Sequence, residues 1–111
     1  MSKSKINNVP TKWIVKQIKL IAPQKKIQIL DFASGNGRNS IHLATKNRII
    51  TAIDKDSQKL NNYKNFNYIN TICFDLETNK KWPLNDEYYD IVIVVNYLYR
   101  PKIRELLKLL K

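Results

Sequence analysis

Four short β-branched runs, each separated from the next by a polar or amphipathic stretch, constrain this chain most. They are Ile27-Gln28-Ile29-Leu30-Asp31-Phe32, Ile49-Ile50-Thr51-Ala52-Ile53, the segment from Tyr68 to Phe74, and Ile91-Val92-Ile93-Val94-Val95. Runs this apolar read as strands buried on both faces. Strands alternating with helices pair in parallel, because each parallel pair needs a crossover connection. Pro10 suits the first turn of a helix that runs toward Ile21 and stops before Pro23, with Ile14, Ile18 and Ile21 on one face. Further helical runs are expected from Arg38 to Lys46, from Ser57 to Tyr63 and from Pro101 to Lys111. The fold class implied is α/β: a Rossmann-like, doubly wound sheet of about four parallel strands with flanking helices.

Composition narrows the class of protein. A length of 111 residues leaves room for one domain spanning 1–111, and no repeat or Gly/Ser/Pro-rich linker divides it. With 43% hydrophobic and 10% aromatic residues the chain is not a disordered tail. No apolar run approaches the roughly 20 residues of a membrane-spanning helix, and the basic amino terminus lacks the apolar stretch of a signal peptide. Cys73 is the only cysteine, so no internal disulfide forms, and no Cys/His cluster has zinc spacing. The expected setting is the cytoplasm, with no metal and no membrane partner. The net charge of +11 arises from sixteen Lys and four Arg against nine acids. Lys, Asn and Ile are what AT-rich codons encode, so part of this basicity reads as codon bias. The rest raises nonspecific affinity for nucleic acid, without the clustered Arg or interleaved aromatics of a dedicated site.

The chemistry-bearing signal lies between the first strand and the first full helix after it. Both glycines of the chain fall in Asp31-Phe-Ala-Ser-Gly35-Asn-Gly37. Glycine leaves a backbone open to close approach and adopts positive φ at little cost. The helix that follows turns its free N–H groups toward whatever sits above the loop. Asp54 ends the second run nineteen residues after Gly35, where an acid in an open α/β sheet accepts hydrogen bonds from ribose hydroxyls. Asp56 and Ser57 suit an N-cap instead. Gly35-Asn-Gly37-Arg-Asn-Ser40 is one substitution from the dinucleotide fingerprint. That fingerprint, however, usually has an early glycine in the turn and no acid at the strand end.

The string Leu30-Asp-Phe-Ala-Ser-Gly-Asn-Gly-Arg38 resembles motif I of the class I S-adenosylmethionine-dependent methyltransferases. The resemblance continues in order through Ile50-Thr-Ala-Ile-Asp54, Ile72-Cys-Phe-Asp75-Leu76-Glu77 and Tyr89-Asp90-Ile-Val-Ile-Val-Val-Asn96. Asn96-Tyr-Leu-Tyr-Arg100-Pro101 is similar to a bacterial subgroup with Asn-Tyr-Leu-x-Arg-Pro at this point. The resemblance implies a cofactor, S-adenosyl-L-methionine, and a set of roles. Asp31 would orient the cofactor's amino group, partly through water. Ala33, Gly35 and Gly37 would let the backbone pass beneath it, with Ala33 replacing the commoner glycine. Asp54 would hold the ribose hydroxyls, Asp75 the adenine amino group, and the Leu76 N–H the ring. Asn96 would stand beside the reacting methyl as the catalytic residue, or only cap the last helix.

Other residues carry less. His42 reads as a surface or satisfied packing residue and Cys73 as a small core residue. Trp13 and Trp82 read as helix or loop packing before stacking on adenine, and Arg100 is open to pairing with a cofactor carboxylate or a substrate anion. The family fold has seven strands, and the last three have no counterpart here, so the fourth strand is expected to be a bare apolar edge that invites self-association. The resemblance implies methyl transfer to an unidentified acceptor, a small molecule before an RNA. A non-catalytic cofactor-binding remnant and a basic nucleic-acid-binding module on the same fold are the alternatives.

Overall fold

The computed structural model describes residues 10–95 and 102–111. Four strands, β1 (Ile27–Phe32), β2 (Arg48–Asp54), β3 (Ile69–Cys73) and β4 (Ile91–Val94), form one sheet in the order β3-β2-β1-β4. Every pairing is parallel. The chain steps outward from β1 to β3 and then returns to place β4 on the other side of β1. That reversal opens a crevice at the carboxyl ends of β1 and β4, where doubly wound sheets bind ligands.

The strands alternate, and each face has its own core. Ile27 and Ile29 of β1 meet Ile14 and Ile18 of α1 (Lys12–Ile18), Leu43 of α2 (Arg38–Leu43), and Leu60 of α3 (Ser57–Asn61). Leu30 and Phe32 face the opposite side and pack with Ile53, Trp82, Tyr89 and Leu109. Burial on both faces is why β1 carries no polar alternation; its one acid, Asp31, is itself 5% exposed. No helix among the described residues is long and apolar enough to cross a membrane.

The elements end sooner than the periodicity implies, and each end has a local cause. Past Ile18 the chain tightens, with Leu20 N–H donating to Gln17 O and Ile21 N–H to Ile18 O, so α1 does not continue to Ile21. α2 stops at Leu43 because Thr45 and Arg48 exchange backbone hydrogen bonds and Asn47 N–H donates to Thr45 Oγ1. α3 ends at Asn61. α4 covers only Ile103–Leu107; beyond it Leu110 pairs in parallel with Tyr89, and Lys111 N–H donates to Tyr89 O. The carboxyl-terminal residues thus reach the outer side of the chain just ahead of β4, while among the described residues no strand pairs with the outer side of β4 itself. Lys111 also pairs with Asp90 at 3.1 Å. Asp90 in turn accepts from Gln28 N–H at 2.7 Å and sets the register of β4 on β1.

Three burial expectations need correction. Cys73 is exposed, with its thiol donating to Lys55 O, because β3 is an edge strand with one face uncovered at that point. Trp13 is 67% exposed at the border of the groove between α1 and β4 rather than packed, while Trp82 is buried, lies 5.0 Å from the Phe32 ring in a tilted arrangement and donates to Leu76 O. β4 is the most apolar run, yet only Ile93 in it is buried. Its place beside β1 alone accounts for that.

Candidate functional site

The glycine loop is a compact turn held to the sheet. Ser34 N–H donates to Ile53 O of β2, and Gly37 N–H closes the turn on Ser34 O. Ala33, Gly35 and Gly37 have φ of 58°, 57° and 75°, so three of five consecutive residues sit in the left-handed region. For Ala33 this conformation costs on the order of 1–2 kcal/mol, which explains the commoner glycine at that place.

The two glycines answer different demands. A Cβ on Gly35 would meet nothing within 4 Å, and the residue lines a cavity of about 380 Å³. A Cβ on Gly37 would lie 2.6 Å from the ring of Tyr63, so its missing side chain makes room for a protein group and it does not line that cavity. Gly35→Ala is therefore expected to cost about 1–2 kcal/mol of backbone strain. Gly37→Ala adds overpacking against a buried ring, for a total of about 3 kcal/mol or more. Urea denaturation of the two variants should rank them in that order, and equal losses would contradict this division.

The first cavity is bounded by Asp31, Ala33, Gly35, Arg38, Asp54, Lys59 and Val95, at the carboxyl ends of β1, β2 and β4. A second, of about 310 Å³, shares Ala33, Asp54 and Lys59 with it and extends to Phe74, Asp75, Leu76 and Glu77 after β3. Six of the residues expected to bind a cofactor, Asp31, Ala33, Gly35, Asp54, Asp75 and Leu76, thus line one trough across three strand ends. Asn96 and Arg100 lie outside the described residues.

The carboxylates differ in setting. Asp31 accepts from Ser40 Oγ at 2.7 Å, and burial pushes its carboxyl up from the usual 3.8 to about 6. Ser40 and the Arg38 cation oppose that rise, and the neighbouring Asp54 charge adds to it. Asp54 is half-buried and accepts from Gly35 N–H at 3.1 Å and Asp56 N–H at 3.0 Å, so it braces the loop while presenting its remaining lone pairs to the cavity. Asp56 caps α3, accepting from Gln58 N–H and Lys59 N–H. Asp75 is exposed and accepts from Glu77 N–H. Leu76 is buried beside it with its carbonyl held by Trp82.

Sequence reasoning missed Arg38, Lys59, Ser34 and Tyr63. Arg38 and Ser34 stand inside the quoted loop string and were legible by adjacency. Tyr63 lies 26 residues beyond Gly37, in the connection after α3, and carried no signal. The trough, the reversal of strand order and the acids at successive strand ends agree with one family. A methyltransferase domain matches residues 29–111. The chain belongs to that family.

Solved structures share the fold. A candidate S-adenosyl-L-methionine-dependent methyltransferase from Methanococcus maripaludis aligns with a TM-score of 0.68 at 20% identity, covering 88% of this chain and 50% of that one. The [4+2]-cyclase SpnF aligns at 0.71 and 19% identity, covering 90% and 40%. A TehB-like SAM-dependent methyltransferase from Corynebacterium glutamicum aligns at 0.58 and 22% identity, covering 71% and 41%. The methyltransferase-domain chain therefore spans half or less of the length of these relatives. No curated protein matches it significantly.

Proposed function

We propose that this chain is the cofactor-binding portion of a class I methyltransferase that moves a methyl group to an acceptor. The cofactor is S-adenosyl-L-methionine. The observation that carries the reading is the trough itself, which offers a buried carboxylate at one end and an open backbone surface at Gly35. Asp54 stands where its two parts join, and an exposed carboxylate beside apolar Leu76 and Phe74 marks the other end. These features suit, in order, an ammonium group, a close-lying ligand chain, a ribose diol and an aminopurine. The bound cofactor supplies an electrophilic methyl on a sulfonium.

The chain's own residues do the rest. Asp31 holds the ammonium, Asp54 accepts from the ribose hydroxyls, and Asp75 accepts from the exocyclic amine while the Leu76 backbone N–H donates to the ring. Gly37 acts indirectly, by admitting the Tyr63 ring behind the loop. Asn96 follows the cavity-lining Val95 in sequence and is assigned beside the reacting methyl. Asp31, whose carboxyl burial raises to about 6, is taken up by the cofactor's ammonium and is not free to serve as a base. An acceptor that is already nucleophilic suits such a site, since positioning and exclusion of water then supply the acceleration. A single exposed thiol and no disulfide are in keeping with the cytoplasm.

Isothermal titration with S-adenosylmethionine, S-adenosylhomocysteine and NAD tests the reading. The first two should bind and NAD should not; the reverse would sink it. Binding with no turnover on any acceptor would favour a binding-only chain, and salt-dependent RNA binding without cofactor binding would favour the basic-module alternative. Within the same assay Asp54→Ala should weaken the cofactor by roughly 10–100-fold, the equivalent of about 1.5–3 kcal/mol for lost charge-assisted bonds. Asp56 borders the second cavity, but its carboxylate is committed to the α3 cap, so Asp56→Ala should cost about 1 kcal/mol of stability and little affinity. Equal losses of affinity, compared at matched folded fraction, would disprove the assignment of Asp54.

A further inference from the structure

Tyr63 is 1% exposed, yet its hydroxyl reaches the loop that the cofactor is proposed to cross. Two contacts define its role: Tyr63 Oη lies 2.6 Å from Ser34 Oγ and 3.0 Å from Gly35 O. A carbonyl oxygen has no proton to give, so the contact to Gly35 uses the single phenolic proton. The Ser34 contact must then run from the Ser34 hydroxyl to Tyr63 Oη. The result is a directed chain, Ser34 O–H to Tyr63 O–H to Gly35 C=O. Asp54 holds the other end of the same residue by accepting the Gly35 N–H. Gly35 is thus gripped at both its polar atoms, with only its Cα side open to the cavity.

We infer that Tyr63 is a positioning residue that locks the glycine loop in its ligand-receiving form. The inference rests on the cofactor reading above, but its test does not depend on that reading alone. Three features support it. The ring occupies the space that a side chain at Gly37 would need, so loop and tyrosine fit only together. The loop holds three left-handed residues, and at Ala33 that conformation is strained, so it persists only where its surroundings over-determine it. Burial raises the Tyr63 phenol to about 12, which keeps its proton in place as a donor throughout the neutral range.

The chain has only two glycines, so protein labelled with ¹⁵N-glycine gives two amide resonances, and loss of one in Gly35→Ala assigns the other. In the free protein Tyr63→Phe keeps the ring but releases the Gly35 carbonyl. The Gly35 amide should shift or split, and S-adenosylhomocysteine should bind about tenfold more weakly at matched folded fraction. Ser34→Ala keeps the bond from Tyr63 to Gly35, so it should shift the same resonance less and weaken binding by about threefold at most. An unmoved Gly35 amide together with wild-type affinity in Tyr63→Phe would overturn the inference, even if that variant is less stable. Should Tyr63→Phe fail to fold, the Ser34→Ala resonance decides, and no shift there overturns it. Failure of the wild-type chain to bind S-adenosylhomocysteine would refute the cofactor reading, while the free-protein resonances would still decide the role of Tyr63.

Discussion

Asp31→Asn is expected to make the folded chain more stable above pH 6 while it loses its hold on the cofactor. Burial raises the Asp31 carboxyl from 3.8 to about 6, so between those values the folded state binds more protons than the unfolded chain. Wild-type stability from this group is therefore full below pH 4, falls as pH rises through the window, and levels off above about pH 6. The gap corresponds to about 3 kcal/mol. Asparagine keeps an oxygen to accept from Ser40 Oγ and carries no charge to desolvate, so its stability should not fall in that window. Urea melts at pH 4.5 and 7.5 should show the variant gaining on the wild type by about 2 kcal/mol at the higher pH, since about 1 kcal/mol of the gap is already lost at the lower one. A variant no better off at pH 7.5 than at pH 4.5 would show that the charge is not buried at a cost.

The same group links pH to binding. A ligand ammonium beside Asp31 favours the ionised carboxylate, so binding near pH 5 must release a proton. Affinity for S-adenosylhomocysteine should then rise from pH 5 to pH 7 in the wild type and stay low and flat in Asp31→Asn. Stability and function pull in opposite directions at this one side chain, as they do wherever a buried charge is kept for a ligand.

The second large effect expected is self-association of the 111-residue chain, with little or no methyl transfer by that chain alone. Among the described residues no strand pairs with the outer side of β4 beyond the Tyr89–Leu110 bridge. Strand alternation puts the backbone groups of Ile91 and Ile93 on that side. Beside it, an apolar groove of about 550 Å³ runs between α1 and β4, past Ile14, Ile18, Leu43 and Val95. Leu20 and Trp13 on its border are 79% and 67% exposed. Unpaired strand edges with apolar neighbours recruit other edges. The charge of +11 opposes association, so the effect should grow as salt shortens the reach of that repulsion. Sedimentation should show an apparent mass near the monomer at about 0.03 M salt that at least doubles at about 0.5 M, where the Debye length is about fourfold shorter. Val94→Lys places a charge on the exposed end of the edge strand and should reverse the rise. A compact monomer at both salt concentrations, with robust methyl transfer, would refute this expectation.

The strand candidates were legible because buried parallel strands leave no choice of residue. Ile27–Phe32 matched β1 to the residue, and the other three runs came within a residue at each end, since both faces of the sheet demand apolar side chains. The glycine loop was legible for the same reason in reverse: only two positions have no side chain, and both lie at one strand end. Helix ends were not legible, because α1, α2 and α4 stop where turn or bridge hydrogen bonds compete with the helical pattern, and those bonds involve residues outside the helices. Asp54 illustrates the intermediate case. Its place after β2 was clear from the pattern, but its grip on the Gly35 N–H depends on how β1 and β2 lie side by side.

By itself, then, the amino-acid sequence determined the α/β class, the parallel pairing and the line of acids and glycines along the strand ends. These follow from local composition and from the period of each run, which neighbours in sequence are enough to specify. Tertiary structure decided which of those residues share one trough, why Gly37 has no side chain, how far Asp31 departs from an ordinary carboxylate, and that Tyr63 belongs to the loop at all. Each of these depends on groups brought together from distant parts of the chain. A carboxyl is shifted by the protein that replaces its water, and a glycine is required by the ring that fills the place of its side chain. Neither the replaced water nor the filling ring is written beside the residue that depends on it.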